Sequence, residues 1–171
     1  MKYKKLPHIS LNNYYQFVTF RTKDSLDEFL LKISNLDINS SKKQYQIDNY
    51  LDSSHKGAYL NGEVLELFKR YILKQDKKLF DLIAFVIMPN HIHILFKETL
   101  RLDEAIRKLK GGSAFLINKV LNKKGQFWAN NYYDKTIRDD KHFEVVYNYI
   151  KNNPIKRGLK DSKKRFYSIY E

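Results

Sequence analysis

The chain has 171 residues, a length that suits one domain with its own core and requires neither a second domain nor a structural metal. It contains no cysteine, which excludes disulfide frameworks, thiolate catalysis, cysteine-type zinc sites and iron–sulfur clusters. Lysine and arginine number 32 against 19 acidic residues, a net charge of +13. The surplus concentrates in residues 101–124, with seven basic and two acidic side chains, and 151–165, with seven and one. A polyanion partner accounts for such clustering, because basic groups near phosphates release condensed counterions. Lysine-rich solvated helix faces account for it as well. Met1 to Pro7 is basic rather than leader-like, and the longest apolar run, Leu82 to Pro89, is far too short for a membrane span. A cytoplasmic protein is the expectation.

Tyr14 to Thr22 alternates aromatic and β-branched residues and predicts a first strand. Residues 34–56 are polar and predict a loop or irregular insertion. Asn61 is placed to cap a helix reaching about Asp76, since Val64, Leu67, Phe68, Tyr71 and Ile72 recur on one stripe. Leu79 to Met88 and His91 to Lys97 predict two strands joined by the tight turn Pro89-Asn90. Leu102 to Leu121 predicts a second amphipathic helix, with Gly111-Gly112 loosening its middle and Gly125 following its end. Tyr132 to Ile137 predicts a fourth strand, and Asp139 or Asp140 caps a last helix, Lys141 to Asn152, that Pro154 stops. The tail, 160–171, is short and basic. The order predicts one α+β domain with a ferredoxin-like β-α-β-β-α-β antiparallel sheet, helices on one face, and a further C-terminal helix.

Side chains alternate faces along a strand, so His91 and His93 project together while Ile92, Ile94 and Phe96 fill the other side. Two neutral imidazoles are half of a metal site, and a surface or structural pair is the alternative. If the main helices cover the isoleucine side, the last helix faces the histidines. On that helix Phe143, Val146, Tyr147 and Ile150 form the apolar stripe, which leaves Tyr149 off the core and Asn153 one turn beyond it on the same side. Asn153 also suits a purely structural role at the helix end. A cation held by two nitrogens and one amide oxygen, beside a phenol, suits phosphoryl transfer with tyrosine as nucleophile. His142, on nearly the same face, is read as an exposed first-turn residue.

These residues resemble a known family, the single-tyrosine HUH transposases, named for a His-hydrophobic-His motif, and in particular the REP-associated tyrosine transposases. The likeness is carried by Phe17 to Thr22, by Val86 to Leu95 with its Met-Pro-Asn-His-Ile-His string, by Phe127-Trp128 with Tyr132 to Asp139, and by Tyr149 to Lys156. The resemblance implies a Mg²⁺- or Mn²⁺-dependent nuclease and strand transferase acting on single-stranded DNA, often beside a hairpin, in a nucleoid-associated setting. It makes His91 and His93 metal ligands, Tyr149 the nucleophile of a 5′-phosphotyrosine link, and Asn153 the third ligand, where the insertion-sequence branch has glutamine. Arg107, Lys108, Lys110 and Arg138 are the chosen phosphate contacts, on charge and position alone. Insertion-sequence members resemble dimers and REP-associated members work as monomers, so both states stay open. Two other readings also stay open: a non-catalytic single-strand-binding module using the sheet, and a hydrolase that uses water.

Overall fold

The computed structural model describes residues 14–171, so the basic stretch Met1 to Pro7 lies outside the described residues. Strand β1 (Tyr15–Arg21) leads through a 3-10 turn to helices α1 (Glu28–Ser34), α2 (Ser40–Ser53) and α3 (Gly62–Gln75). Strands β2 (Phe80–Ile87) and β3 (His91–Glu98) form a hairpin, followed by α4 (Leu102–Leu121), β4 (Tyr133–Thr136) and α5 (Asp140–Lys156). The chain closes with α6 (Ser162–Arg165) and β5 (Phe166–Ser168). The strands make one antiparallel sheet in the order β4-β1-β3-β2-β5, so the ferredoxin-like arrangement is present with an added edge strand. No described helix is long and apolar enough to cross a membrane.

The sheet buries both faces, for the reason its alternation suggests. Val18, Phe20, Ile92, Ile94 and Phe96 pack against Phe68 and Ile72 of α3 and Leu109 and Ile117 of α4. On the opposite face Phe17, Val86 and Leu95 meet Val146 and Ile150 of α5. Strand β2, lying between β3 and β5 and covered on both sides, is apolar almost throughout, as a doubly buried strand must be.

Three local expectations are corrected. Residues 34–56 are mainly helical: Asn39 accepts a hydrogen bond from the Lys42 amide and starts α2, whose buried residues are Asp48 and Leu51. An amphipathic pattern that buries a carboxylate gives no apolar periodicity to read. Helix α4 runs unbroken through Gly111-Gly112; Gly112 instead lets α3 come close, since a Cβ there would lie 1.9 Å from the Tyr71 hydroxyl oxygen. Pro154 sits inside α5, which continues to Lys156, because a proline in the last turn removes a single helical donor. The short basic tail packs on the sheet: Arg165 is buried and donates to the Leu60 and Ile87 carbonyls, each at 3.0 Å, and to Asn61 Oδ1, while β5 pairs with β2. Asn61 thus occupies the N-cap position of α3 with its side chain engaged elsewhere.

Candidate active site

The turn Pro89-Asn90 does more than reverse the chain. Asn90 is fully buried and its amide nitrogen reaches the carbonyls of Leu51, Ser54 and Lys56, at 3.0 to 3.3 Å, tying the end of α2 to the hairpin. Three acceptors around Nδ2 leave Oδ1 as the acceptor facing His91 Nδ1 at 2.7 Å. His91 therefore carries its proton on Nδ1 and presents a bare lone pair at Nε2. On the neighbouring strand Thr19, paired in register with His93, sets its hydroxyl 2.7 Å from His93 Nδ1, leaving Nε2 of that ring to face elsewhere. Both rings are wholly buried, and burial holds both imidazoles neutral, pushing His93 down to about 3.

Helix α5 crosses the histidine face, its start fixed by Asp139 Oδ1 accepting from the His142 amide. His142 accepts from the Arg138 amide, so its ring helps close the helix start. Val146 and Ile150 pack down on the sheet, and Tyr149 lies beside them with its ring 5.1 Å from that of His93. Asn153 follows one turn later, buried. His91 Nε2, His93 Nε2 and Asn153 Oδ1 are buried without a hydrogen-bond partner among the described residues. Acceptors left in that condition are costly unless something electropositive joins them.

A third element enters from α2. The Tyr149 hydroxyl donates to Asp48 Oδ2 at 3.0 Å, and Gln44 Nε2 holds the other oxygen at 2.8 Å. One turn on, Asp52 accepts from Arg157 at 2.8 Å through Oδ2 and sets Oδ1 3.5 Å from His91 Nε2. With His91 neutral this last contact is no ion pair; it is two acceptors face to face, both buried. Burial raises Asp48 to about 7 and Asp52 to about 6, and burial with the two carboxylates pushes the Tyr149 phenol above its ordinary range. No three histidine, cysteine, aspartate or glutamate side chains among the described residues stand close enough to hold a metal alone. The donor set includes an amide.

Residues 42–153 match the family model described as Transposase IS200 like. The chain belongs to this transposase family. A solved structure, that of a REP-associated tyrosine transposase bound to a REP hairpin, shares the fold, superposing with a TM-score of 0.56 at 18% identity over 91% of this chain and 74% of the other. An uncharacterized protein of Haemophilus influenzae (strain ATCC 51907 / DSM 11121 / KW20 / Rd) is 28% identical over 95 residues, 42% of this chain and 52% of that one. The match thus spans about half the length of that curated relative.

In this member of the Transposase IS200 like family, His91, His93 and Tyr149 come together on one face of the sheet, and Asn153 lies on the helix that crosses it. Three of the four basic residues chosen from the sequence do not join them. Arg107, Lys108 and Lys110 belong to α4, which packs on the opposite face. Lys108 pairs with Glu104 at 2.9 Å, and Lys110 is half-buried, donating to the Ala129 carbonyl at 2.6 Å, with burial lowering it to about 8. Arg138 is exposed and stands just before α5. Asn90, Thr19, Asp48, Asp52 and Arg157 were not anticipated. The spacing of Gln44, Asp48 and Asp52, four residues apart each time, is the signal in the sequence that sets three polar side chains on one helical face. A cavity of about 570 Å³ opens beside the site between β1 and the α1–α2 segment, lined among others by Thr19, Arg21, Gln44, Tyr132 and Tyr133.

Proposed function

We propose that this chain is a divalent-cation-dependent nuclease and strand transferase for single-stranded DNA, with Tyr149 as nucleophile and a 5′-phosphotyrosine as the covalent product. The observation that carries the reading is the group of buried, unpartnered acceptors, His91 Nε2, His93 Nε2 and Asn153 Oδ1, on the face where the Tyr149 ring lies. That donor set fits a cation: two imidazoles already neutral, an amide oxygen, and the lone pairs of His91 Nε2 and Asp52 Oδ1, whose mutual repulsion a cation would relieve. Bound there, Mg²⁺ or Mn²⁺ would supply Lewis-acid stabilisation of charge on the scissile phosphate.

The protein's own groups do the rest. Asn90 and Thr19 orient the imidazoles; α5 holds the phenol beside them; the sheet and α2 exclude water from the rings. All these residues belong to one chain, which supports a site completed within a single copy. Arg157, partly exposed, and exposed Arg138 stand on the α5 side to receive phosphates. Arg107, Lys108 and Lys110 would meet only DNA that passes round to the α4 face. A hairpin-bearing strand is the substrate we infer, since the superposable relative is bound to a REP hairpin. The cavity beside β1 is large enough for a nucleobase of the flanking strand.

Incubation with single-stranded hairpin DNA and Mn²⁺, followed by a denaturing gel, tests the proposal. A covalent adduct formed by the native protein and absent in Tyr149→Phe is expected. Cleavage that persists in Tyr149→Phe would mean attack by water, and binding without any adduct would mean a recognition module.

A further inference from the structure

Helix α2 brings Asp48 to the hydroxyl of Tyr149. We infer that Asp48 is the group that takes the phenol's proton when Tyr149 attacks, which makes a segment outside the sheet part of the catalytic apparatus. The inference rests on Tyr149 being the nucleophile. The geometry is direct: the hydroxyl donates to Oδ2 at 3.0 Å, and Gln44 fixes Oδ1, so the carboxylate is held in one orientation toward the reacting oxygen. Asp48 is buried, and Asp52, a second carboxylate, stands one turn along the same helix. Such a pair costs folding free energy, and anchoring a hydroxyl does not call for it, because an asparagine would serve that purpose without a charge.

A phenol whose ionisation is opposed by its surroundings cannot act as a preformed phenolate, so its proton must leave as the bond forms. In the forward step the Tyr149 oxygen bonds to phosphorus as its proton passes to Asp48 Oδ2. The bond from phosphorus to the 3′ oxygen breaks, and that oxygen takes a proton from solvent. In the reverse step a 3′-hydroxyl attacks the phosphotyrosine and releases its proton to solvent, the bond from phosphorus to the Tyr149 oxygen breaks, and Asp48 returns a proton to that oxygen. With its acidity moved to about 7, Asp48 is suited to both directions near neutral pH. The charged and titratable groups facing it are Asp52 on its own helix, Tyr149 and Arg157 from α5, and Tyr133 from β4.

The test is the single-turnover rate of adduct formation with hairpin DNA and Mn²⁺, measured across pH for the native protein, Asp48→Asn and Asp48→Glu. Hairpin binding is followed separately by fluorescence anisotropy. The native rate should rise through about pH 7. Asp48→Asn should be about 100-fold slower and lack that rise, Asp48→Glu should recover part of the rate, and hairpin affinity should be unchanged. An Asp48→Asn protein as fast as the native one, or with the same pH profile, overturns the inference and leaves Tyr149 as nucleophile. A loss of rate matched by loss of hairpin binding overturns it in favour of a structural role. If the native protein forms no adduct, both readings fall together.

Discussion

Removing the charge from Asp48 should make the folded protein more stable at alkaline pH. Its side chain is buried beside Asp52, and its acidity moves from an ordinary 3.8 to about 7. Between those values the folded protein keeps a proton that the unfolded chain has released, so stability falls as pH rises through this window. Above pH 7 the whole cost of the buried charge is present. A gap of roughly 3 units, at about 1.4 kcal/mol each, puts that cost on the order of 4 kcal/mol. Asparagine is isosteric, can still meet Gln44 and the Tyr149 hydroxyl, and carries no charge, so it escapes the slope. Asp48→Asn should therefore exceed the native protein by several kcal/mol at pH 8 and by little at pH 4.5. Urea unfolding at both pH values, in the presence of a chelator, measures the difference directly. A variant no more stable than the native protein at pH 8, or an advantage that fails to widen from pH 4.5 to pH 8, would refute the reasoning. Together with the slowed adduct formation expected of the same substitution, the result would be a more stable and less active protein, the exchange anticipated where a buried charge serves catalysis.

Two further substitutions probe the site and the frame that holds it. Asp52→Asn should weaken Mn²⁺ binding, followed by titration calorimetry, about tenfold or more, because Mg²⁺ and Mn²⁺ sites normally include a carboxylate; unchanged affinity would assign Asp52 to Arg157 alone. Arg165→Met should lower stability by about 3 kcal/mol in urea unfolding, since it strands the buried Leu60 and Ile87 carbonyls and releases β5, and a variant within about 0.5 kcal/mol of the native protein would show that the tail merely covers the sheet edge.

How far the molecule was legible from its residues depended on whether each signal was local. Alternation and stripe spacing are local, and they specified the four main strands, α3, α4 and α5 to within a few residues. The same alternation put His91 and His93 on one face and Ile92, Ile94 and Phe96 on the other, and the step from Tyr149 to Asn153 put both on one side of α5. Helix α2 escaped because its inward face carries Gln44, Asp48 and Asp52, and the two carboxylates are buried against partners that arrive from distant α5. The charge surplus likewise marked basic segments without saying which would face the histidines, and packing sent α4 to the far side of the sheet. Periodicity records which face of an element turns inward, so the backbone plan and the pairing of histidines with tyrosine were already written in residue order. Which carboxylate meets the phenol, which way Asn90 and Thr19 turn the imidazoles and where Arg165 buries its charge depend on contacts between residues 34 to 105 positions apart, and only the closed fold brings them together.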